Sequence, residues 1–285
     1  MIAVLGGFGA AVMFATTTLC SSRSTRMIGP RSVLSWVMAV GCAITLPWAA
    51  ISGIPHGIDW TSGALLLVSG AGNVGGLLIA YAAVRIGKVG VVAPIISIEG
   101  AIAAVLAIAT GEHVGVGTGA LLILIAAGVV LAGAARERDA EPSAPRELRA
   151  IVLATAAAVC FGASLYATGK VSVGLPIAWA LLPARVIGVV AVAVPLAASS
   201  RLRLTRPAVP LVVIGGVCEV AGFGLFAVGA RHGIAVSAVL ASQFGSIAAL
   251  GGFVLFRERL ARVQLAGVVA IVVGVAVLSG MRSGP

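Results

Sequence analysis

The sequence predicts an all-α membrane protein of ten transmembrane helices, built as two inverted five-helix repeats. Three observations predict this fold class. Sixty per cent of the 285 residues are hydrophobic and only 10% are charged. The apolar residues fall into ten stretches, each long enough to cross a bilayer. The second half of the chain also repeats the first at a nearly constant offset, which indicates two related units.

The composition suits a lipid environment better than water. Soluble domains carry about 25% charged residues, so a chain with a mean hydropathy of +1.15 lacks the polar groups to cover a water-exposed surface. The net charge is +10 and 17 of the 19 basic residues are Arg, but they lie in short gaps between apolar stretches. A nucleic-acid-binding protein places such residues along one polar face. We therefore expect no nucleic-acid partner.

The predicted spans are stretches of about 20 apolar residues bounded by charges, prolines or glycine clusters. They cover residues 2–22, 32–54, 60–84, 89–110, 114–135, 150–169, 174–198, 207–230, 234–256 and 262–281. Most connections between them are only a few residues long. The exception is the polar stretch 136–149, which follows the fifth span. It predicts a linker between a first unit, residues 1–135, and a second unit, residues 150–285.

The repeat is visible in charged residues as well as in the abundant glycines and valines. The aligned pairs are Arg85 with Arg231, Gly87 with Gly233 and Glu112 with Glu258 at an offset of 146 residues, and Phe14 with Phe161 and Arg23 with Lys170 at an offset of 147. Because each unit has an odd number of spans, the second enters the membrane from the opposite side. This predicts a pseudo-two-fold axis in the membrane plane, which suits alternating access.

The ends of the two units resemble a known family. The segment 256–278 reads FRERLARVQLAGVVAIVVGVAVL and resembles the closing signature of the EamA repeat in the drug/metabolite transporter superfamily. Segment 110–131, TGEHVGVGTGALLILIAAGVVL, is a weaker version. The first helix of each unit is similar to the family's opening pattern, with Gly162 and Ser164 fitting it and Ala15 departing from it. The resemblance implies a ten-helix transporter of metabolites, amino acids or drugs, usually directed outward.

Three ionisable residues fall at membrane depth: Glu99, Glu219 and Arg185. Each costs about 2.5–3.5 kcal/mol on insertion scales, so each needs a reason. Glu99 follows Pro94, which can bend its helix. A low dielectric favours the neutral acid, so Glu99 is suited to proton coupling or to contact with a cationic substrate group. The alternative is a structural one, a hydrogen bond between helices or an ion pair with Arg185.

Glu219 is the repeat counterpart of Asn73, at an offset of 146. Polar residues at equivalent mid-helix sites are expected to converge near the pseudo-axis, where inverted-repeat transporters bind substrate. The alternative is polar contact between helices, worth about 0.6 kcal/mol on average. Arg185 follows Pro183 and is expected to pair with Glu99 or Glu219, or to bind a substrate carboxylate.

Four further residues are candidates for the same cavity. Ser97 and Gln243 are repeat counterparts, again at an offset of 146. Tyr81 and Tyr166 are candidates for aromatic walls, with packing or interface anchoring as the alternative. The complete set of substrate-binding or proton-binding candidates is therefore Glu99, Glu219, Arg185, Asn73, Gln243, Ser97, Tyr81 and Tyr166.

Two glutamates have a different character. Glu112 and Glu258 lie at the short turns between the last two helices of each unit, where a carboxylate can accept from free amides at a helix start. We interpret both as structural.

Orientation has two opposing indications. Fifteen of the 19 basic residues lie in gaps after odd-numbered spans, and the positive-inside tendency then places both termini outside the cell. The family resemblance instead implies cytoplasmic termini.

The expected function is secondary transport of a small organic solute, and an enzyme is not expected. The sequence contains no GxxxxGK[ST] motif that would indicate ATP hydrolysis and no HExxH motif that would indicate a metal-dependent enzyme.

 

A metal or other cofactor is not expected. The leading interpretation is an exporter in the plasma or inner membrane, whose partners are its small-molecule substrate and the lipid bilayer. A homodimer is compatible with the sequence, although a monomer suffices. The alternative from another class is a membrane-embedded enzyme acting on a lipid-linked substrate, which would need a cluster of catalytic Asp, His or Ser at a membrane face. His56, His113 and His232 instead lie singly in three loops. A passive channel would need a continuous polar stripe.

Overall fold

The computed structural model describes residues 1–55, 58–86, 92, 95–133, 144–248 and seven further positions between 266 and 277. Every regular element in these ranges is helical, as the sequence predicts. Most of the tenth predicted span, most of the linker, Pro94, Lys88, His56 and Glu258 lie outside the described residues.

The helices of the first half follow the predicted spans. They are α1 (Ile2–Ile28), α2 (Pro30–Ile51), α3 (Trp60–Ile86), α4 (Glu99–Ala109) and α5 (Val116–Gly133). The first helix extends six residues beyond its predicted end, because Ser24, Arg26 and their neighbours continue the helix until Gly29, whose φ of 82° ends it. Pro30 then begins α2, since a proline at the first helical position loses no hydrogen bond.

The second half contains interrupted helices. Its elements are α6 (Ala144–Gly174), α7 (Ile177–Gly188), a π-helical turn (Val189–Ala193), α8 (Val194–Ala198), a 3₁₀ turn (Arg206–Ala208), α9 (Val209–Ala230) and α10 (Ile234–Ala241). The last six residues of the predicted linker are therefore helical. Glu147 lies in the first turn of α6, where a carboxylate interacts favourably with the helix dipole.

Six helical stretches among the described residues are long and apolar enough to cross a membrane. They are Ile2–Ile28, Pro30–Ile51, Trp60–Ile86, Pro145–Gly174, Ile177–Ala198 and Arg206–Ala230. Large apolar side chains on the outside remain exposed, among them Ile51 at 86% and Val116 at 92%. Contiguous exposed apolar surface of this kind needs a lipid environment, so the protein is a multi-pass membrane protein.

Asp59 lies outside the membrane-spanning helices, directly before the first residue of α3. Its Oδ1 atom accepts a hydrogen bond from the backbone N–H of Ser62 at 2.9 Å, as an N-terminal cap does. Hydrogen bonds from Ser62 hold the pKa of the Asp59 carboxyl below its ordinary value.

The main helix contacts join the first half of the chain to the second. The most extensive are α1 with α9 and α3 with α6, followed by α2 with α9, α4 with α10, α2 with α7, α4 with α6, α1 with α10 and α3 with α7. Small residues allow these close approaches. A Cβ atom added to Gly222 would lie 2.6 Å from the ring of Phe14, and one added to Gly76 would lie 2.7 Å from the ring of Phe161. Neither position has room for a side chain.

Candidate functional site

A cavity of about 880 Å³ lies between the two halves. Its walls come from α1, α2, α3 and α4 of the first half and from α6 and α9 of the second, and they are mostly apolar. Four of the predicted candidates line it: Asn73, Tyr81, Glu99 and Glu219. Glu99 and Glu219 therefore face the interior of the protein and not the surrounding lipid.

Glu219 is held by an ion pair with Arg185. The Nη1 atom of Arg185 donates to Oε1 of Glu219 at 2.9 Å, and the guanidinium lies 5.2 Å from the ring centroid of Phe223. The Arg185 side chain is only 1% exposed, and it also approaches the Sδ atom of Met38 at 3.5 Å. A buried arginine cannot lose its proton, so the carboxylate is the group that balances its charge. Of the two glutamates considered, Arg185 binds Glu219 and not Glu99.

Glu99 has a different environment. It is the first residue of α4, directly after a turn at residues 97–98, and it is 8% exposed. No hydrogen bond or ion pair joins its carboxyl group to another residue in the described ranges. Its position at a helix N-terminus favours a negative charge there, while burial disfavours one. Glu99 is thus a buried acid that opens onto the cavity without a charged neighbour bound to it.

Asn73 lies in the middle of α3 and is 5% exposed. Its Oδ1 atom has no hydrogen-bond partner in the described part of the chain. A buried amide oxygen without a partner costs free energy comparable to a lost hydrogen bond. Asn73 and Glu219 both line the cavity.

Phenylalanine rings form the apolar wall beside these polar groups. Phe14 contacts Phe223 edge to face, with ring centroids 5.0 Å apart, and Phe244 at 6.4 Å. Phe161 lines the cavity from α6. The repeat points to Phe14 and Phe161 in the sequence, but sequence reasoning missed Phe223 and Phe244. A single phenylalanine inside an apolar helix gives no signal that it faces a cavity.

Neither Ser97 nor Gln243 belongs to the described lining of this cavity. Both lie in turns that interrupt helices, at residues 97–98 and 242–243. Gln243 is fully buried, and its Nε2 atom donates to the carbonyl of Val239 at 3.1 Å. Tyr166 is also outside the lining. It packs against the main hydrophobic core, and the Nζ atom of Lys170 lies 5.8 Å from its ring centroid.

Two hydroxyl groups on the cavity wall bind the facing helix. Thr17 of α1 donates to the carbonyl of Gly215 in α9 at 3.1 Å. Ser164 of α6 donates to the carbonyl of Ser69 in α3 at 2.6 Å. These bonds hold α1 on α9 and α3 on α6 at the level of the polar groups.

The two ends of the cavity differ. Its lining continues along α1 and α3 to the exposed side chains of Arg26 and Arg85, which we call the open end. Along α6 and α9 the described lining stops at Leu165 and Phe223. The remaining C-terminal parts of α6 and α9 form the closed end.

Two polar contacts hold the closed end together. Arg231 donates from Nε to the carbonyl of Ser172 at 2.6 Å and from Nη2 to that of Leu175 at 3.1 Å. Glu112 accepts from the backbone N–H groups of Ile234 at 3.0 Å and Ala235 at 3.1 Å. Glu112 therefore satisfies amides at a helix start, but the helix is α10 in the other half of the chain and not the one that follows its own turn.

Comparisons with known proteins agree with this architecture. Residues 1–134 match the model of the EamA-like transporter family. A search of curated proteins finds no match to this sequence. A solved structure, described only as a crystal structure of a protein, superposes with a TM-score of 0.77 over 98% of this chain and 96% of its own. The two sequences are 17% identical, so that likeness shows the fold alone. The match of residues 1–134 to the EamA-like transporter family confirms the resemblance found in the sequence.

Proposed function

We propose that this protein is a secondary transporter that exports a small organic amine with an apolar body by alternating access. The observation that carries the proposal is Glu99, a buried acid that faces a large cavity and is bound to no described residue. Such a group suits a solute that brings its own hydrogen-bond donors and positive charge.

The ten-helix inverted repeat is part of this proposal, and the pairing of helices supports it. If α6 and α9 are the counterparts of α1 and α3, exchanging the halves converts the α1–α9 contact into the α3–α6 contact, and these are the two most extensive ones. The hydroxyl bonds obey the same exchange, since Thr17 corresponds to Ser164 and Ser69 to Gly215. The contacts of Phe14 with Gly222 and of Phe161 with Gly76 are also related in this way.

Interrupted helices give further support. The turns at residues 97–98 and 242–243 are 145 residues apart, within one residue of the repeat offset, so they occupy corresponding places in the two proposed units. Inverted-repeat transporters commonly bind substrate beside discontinuous helices near the bilayer midplane. Glu99 directly follows one of these turns.

The lining of the cavity favours an amine among the small organic solutes. Hydrogen-bond acceptors dominate its deep part, namely the carboxyl of Glu99, the partnerless Oδ1 of Asn73 and the carboxylate of Glu219. Arg185, the nearby cation, is occupied by Glu219. Phenylalanine rings beside these acceptors provide surface for an apolar body and attract cations through their faces. An amino acid fits too if its carboxylate points toward Arg26 and Arg85 at the open end.

The direction of transport follows from which side the open end faces. The open end includes Arg26 and Arg85, which belong to the basic residues in the gaps after odd-numbered spans. The positive-inside tendency places this end in the cytoplasm, where the cavity loads a solute for export across the plasma or inner membrane. Glu99 can exchange a proton for the amine, since both compete for one carboxylate.

The test is uptake into proteoliposomes with solutes that share one apolar body. Phenethylamine, phenethyl alcohol, phenylpropionate and phenylalanine differ in the polar group alone. We expect saturable uptake of the amine, weaker uptake of the amino acid and none of the alcohol or the acid. Glu99→Gln should abolish amine uptake, whereas Glu147→Gln, at the start of α6 and away from the cavity, should leave it unchanged.

Three results would count against the proposal. Equal uptake of the alcohol and the amine would show that the acceptors do not select the solute. Flux without saturation would indicate a channel. Chemical turnover of a lipid-linked substrate without flux would favour the membrane-embedded enzyme.

A further inference from the structure

The closed end is fastened by one side chain that bridges two helices. Arg231 is the residue directly after α9. Its guanidinium donates to the carbonyls of Ser172 and Leu175 at the end of α6. A helix C-terminus presents carbonyls with a partial negative charge. The planar guanidinium can donate to two of them at once, which a lysine ammonium does less well. Arg231 thus ties α9 to α6 and stops the cavity at this end.

The open end has the same parts in a different arrangement. Arg85 is the repeat counterpart of Arg231, and Thr25 and Ile28 are the counterparts of Ser172 and Leu175. Arg85 is exposed, lines the cavity beside Thr25, and donates no hydrogen bond within the described ranges. α6 and α9 contact each other, whereas α1 and α3 make no comparable contact.

The units match in the middle and differ at the ends. Thr17 binds Gly215 as Ser164 binds Ser69, so the repeat relation holds for hydrogen bonds at the level of the polar groups. The arginine and the carbonyl-bearing residues are also present at both ends. The difference is therefore one of conformation: the first unit is open and the second is closed.

We propose that Arg85 and Arg231 are alternating latches, each of which closes one end of the cavity by bridging two carbonyls at the C-terminus of the first helix of its own unit. In the present state Arg231 is engaged and Arg85 is free. In the opposite state Arg85 binds the carbonyls of Thr25 and Ile28, and Arg231 is released. This inference rests on the proposed transport by alternating access.

The experiment compares accessibility at the two ends. In a full-length protein whose four native cysteines are replaced by alanine, a single cysteine is introduced as Thr25→Cys or as Ser172→Cys. These positions are repeat counterparts, and at position 172 the backbone carbonyl that accepts from Arg231 is retained. The rate of labelling by a membrane-impermeant maleimide is measured from each side of the membrane, and solute uptake is measured in parallel.

Removal of the engaged latch should shift the balance of states. In Arg231→Ala we expect labelling at position 172 to rise and labelling at position 25 to fall, so that the ratio of the two rates changes by about tenfold, because hydrogen bonds to a charged group are lost from one state alone. The fall at position 25 is the decisive result, since local loosening around Arg231 cannot produce it. In Arg85→Ala the labelling at position 25 should stay high while uptake is lost, because the open end no longer closes.

Arg26→Ala is the matched control. Arg26 is an exposed arginine at the same open end, but its repeat counterpart is Val173, so it has no latch partner. We expect it to leave both labelling rates unchanged. Arg231→Lys should give an intermediate shift, since one ammonium does not span both carbonyls as well as a guanidinium.

The outcomes separate this inference from the function on which it rests. If Arg231→Ala raises labelling at position 172 but leaves position 25 unchanged, or if Arg85→Ala transports normally, the latch proposal is wrong even where wild-type uptake is saturable. If the wild type takes up none of the solutes but labelling still shifts between the two ends, the latches stand and the proposed solute class fails.

Discussion

The ion pair between Arg185 and Glu219 can be replaced by a pair that the protein already contains. In the proposed repeat, Arg185 aligns with Met38 at an offset of 147 residues and Glu219 with Asn73 at an offset of 146. The double variant Arg185→Met/Glu219→Asn therefore copies the residues of the first unit into the second. Met38 already contacts the guanidinium of Arg185, so the two positions face each other across α2 and α7.

The magnitudes follow from the burial of the pair. Arg185 is 1% exposed and Glu219 is 12% exposed. Removing one partner of a buried pair costs about 3–5 kcal/mol, because the other charge is left without compensation. Glu219→Asn should be the more harmful single change, since an arginine cannot lose its charge by giving up a proton, whereas a glutamate can take one up. Replacing both partners removes the unpaired charge, so the double variant should lose less than either single variant.

Thermal unfolding in detergent, followed by the fluorescence of the four tryptophans, measures this order. At about 2 °C per kcal/mol, Glu219→Asn should lower Tm by roughly 6–10 °C. The double variant should recover most of that loss, which corresponds to a coupling free energy of at least about 2 kcal/mol. Additive effects, with the double variant less stable than both single variants, would refute the view that the two charges stabilise each other.

Three other predictions concern the cavity wall and its ends. Uptake of phenethylamine by the wild type should increase from acidic to alkaline pH, because protons and amine compete for Glu99. The same dependence on pH should persist in Glu99→Asp, and a wild-type rate independent of pH would contradict proton exchange. Gly222→Val should destabilise the protein by about 1–3 kcal/mol through contact with Phe14, whereas Gly224→Ala in the same helix, with open space around it, should be tolerated. Equal unfolding temperatures of the two variants would show that the contact between Gly222 and Phe14 is not tight. Glu112→Ala should speed hydrogen exchange at the amides of Ile234 and Ala235, which lose their acceptor, and unchanged exchange there would contradict the cap.

Much of the architecture is predictable because the bilayer imposes a simple rule. A span must be apolar over a fixed length, so the positions of α1, α2 and α3 follow from counting. Helix ends are less predictable. α1 continues through Arg23 and Arg26, because basic residues near a helix C-terminus are favourable and do not end it.

The sequence points to candidate site residues where exposing a charged side chain to lipid would cost free energy. A charge at membrane depth needs a partner or a cavity, and this criterion points to Glu99, Glu219 and Arg185. Phenylalanine costs little free energy anywhere in the membrane and gives no such signal, so sequence reasoning missed Phe223 and Phe244. Gln243 lies outside the described lining of the cavity for a local reason. In the turn that interrupts its helix, its side chain folds back to the carbonyl of Val239, and helical spacing does not predict that direction.

The predominance of contacts between the two halves has a consequence for biogenesis. The partners of α1 and α3 are α9 and α6, which the ribosome makes later. At a synthesis rate of about 5–20 residues per second, the first 143 residues wait roughly 7–30 s before the rest of the chain is complete. During that interval Asn73 and Glu99 lie in the bilayer without the helices that enclose them. We therefore expect the nascent first half to need insertion factors that shield these polar groups until the second half arrives.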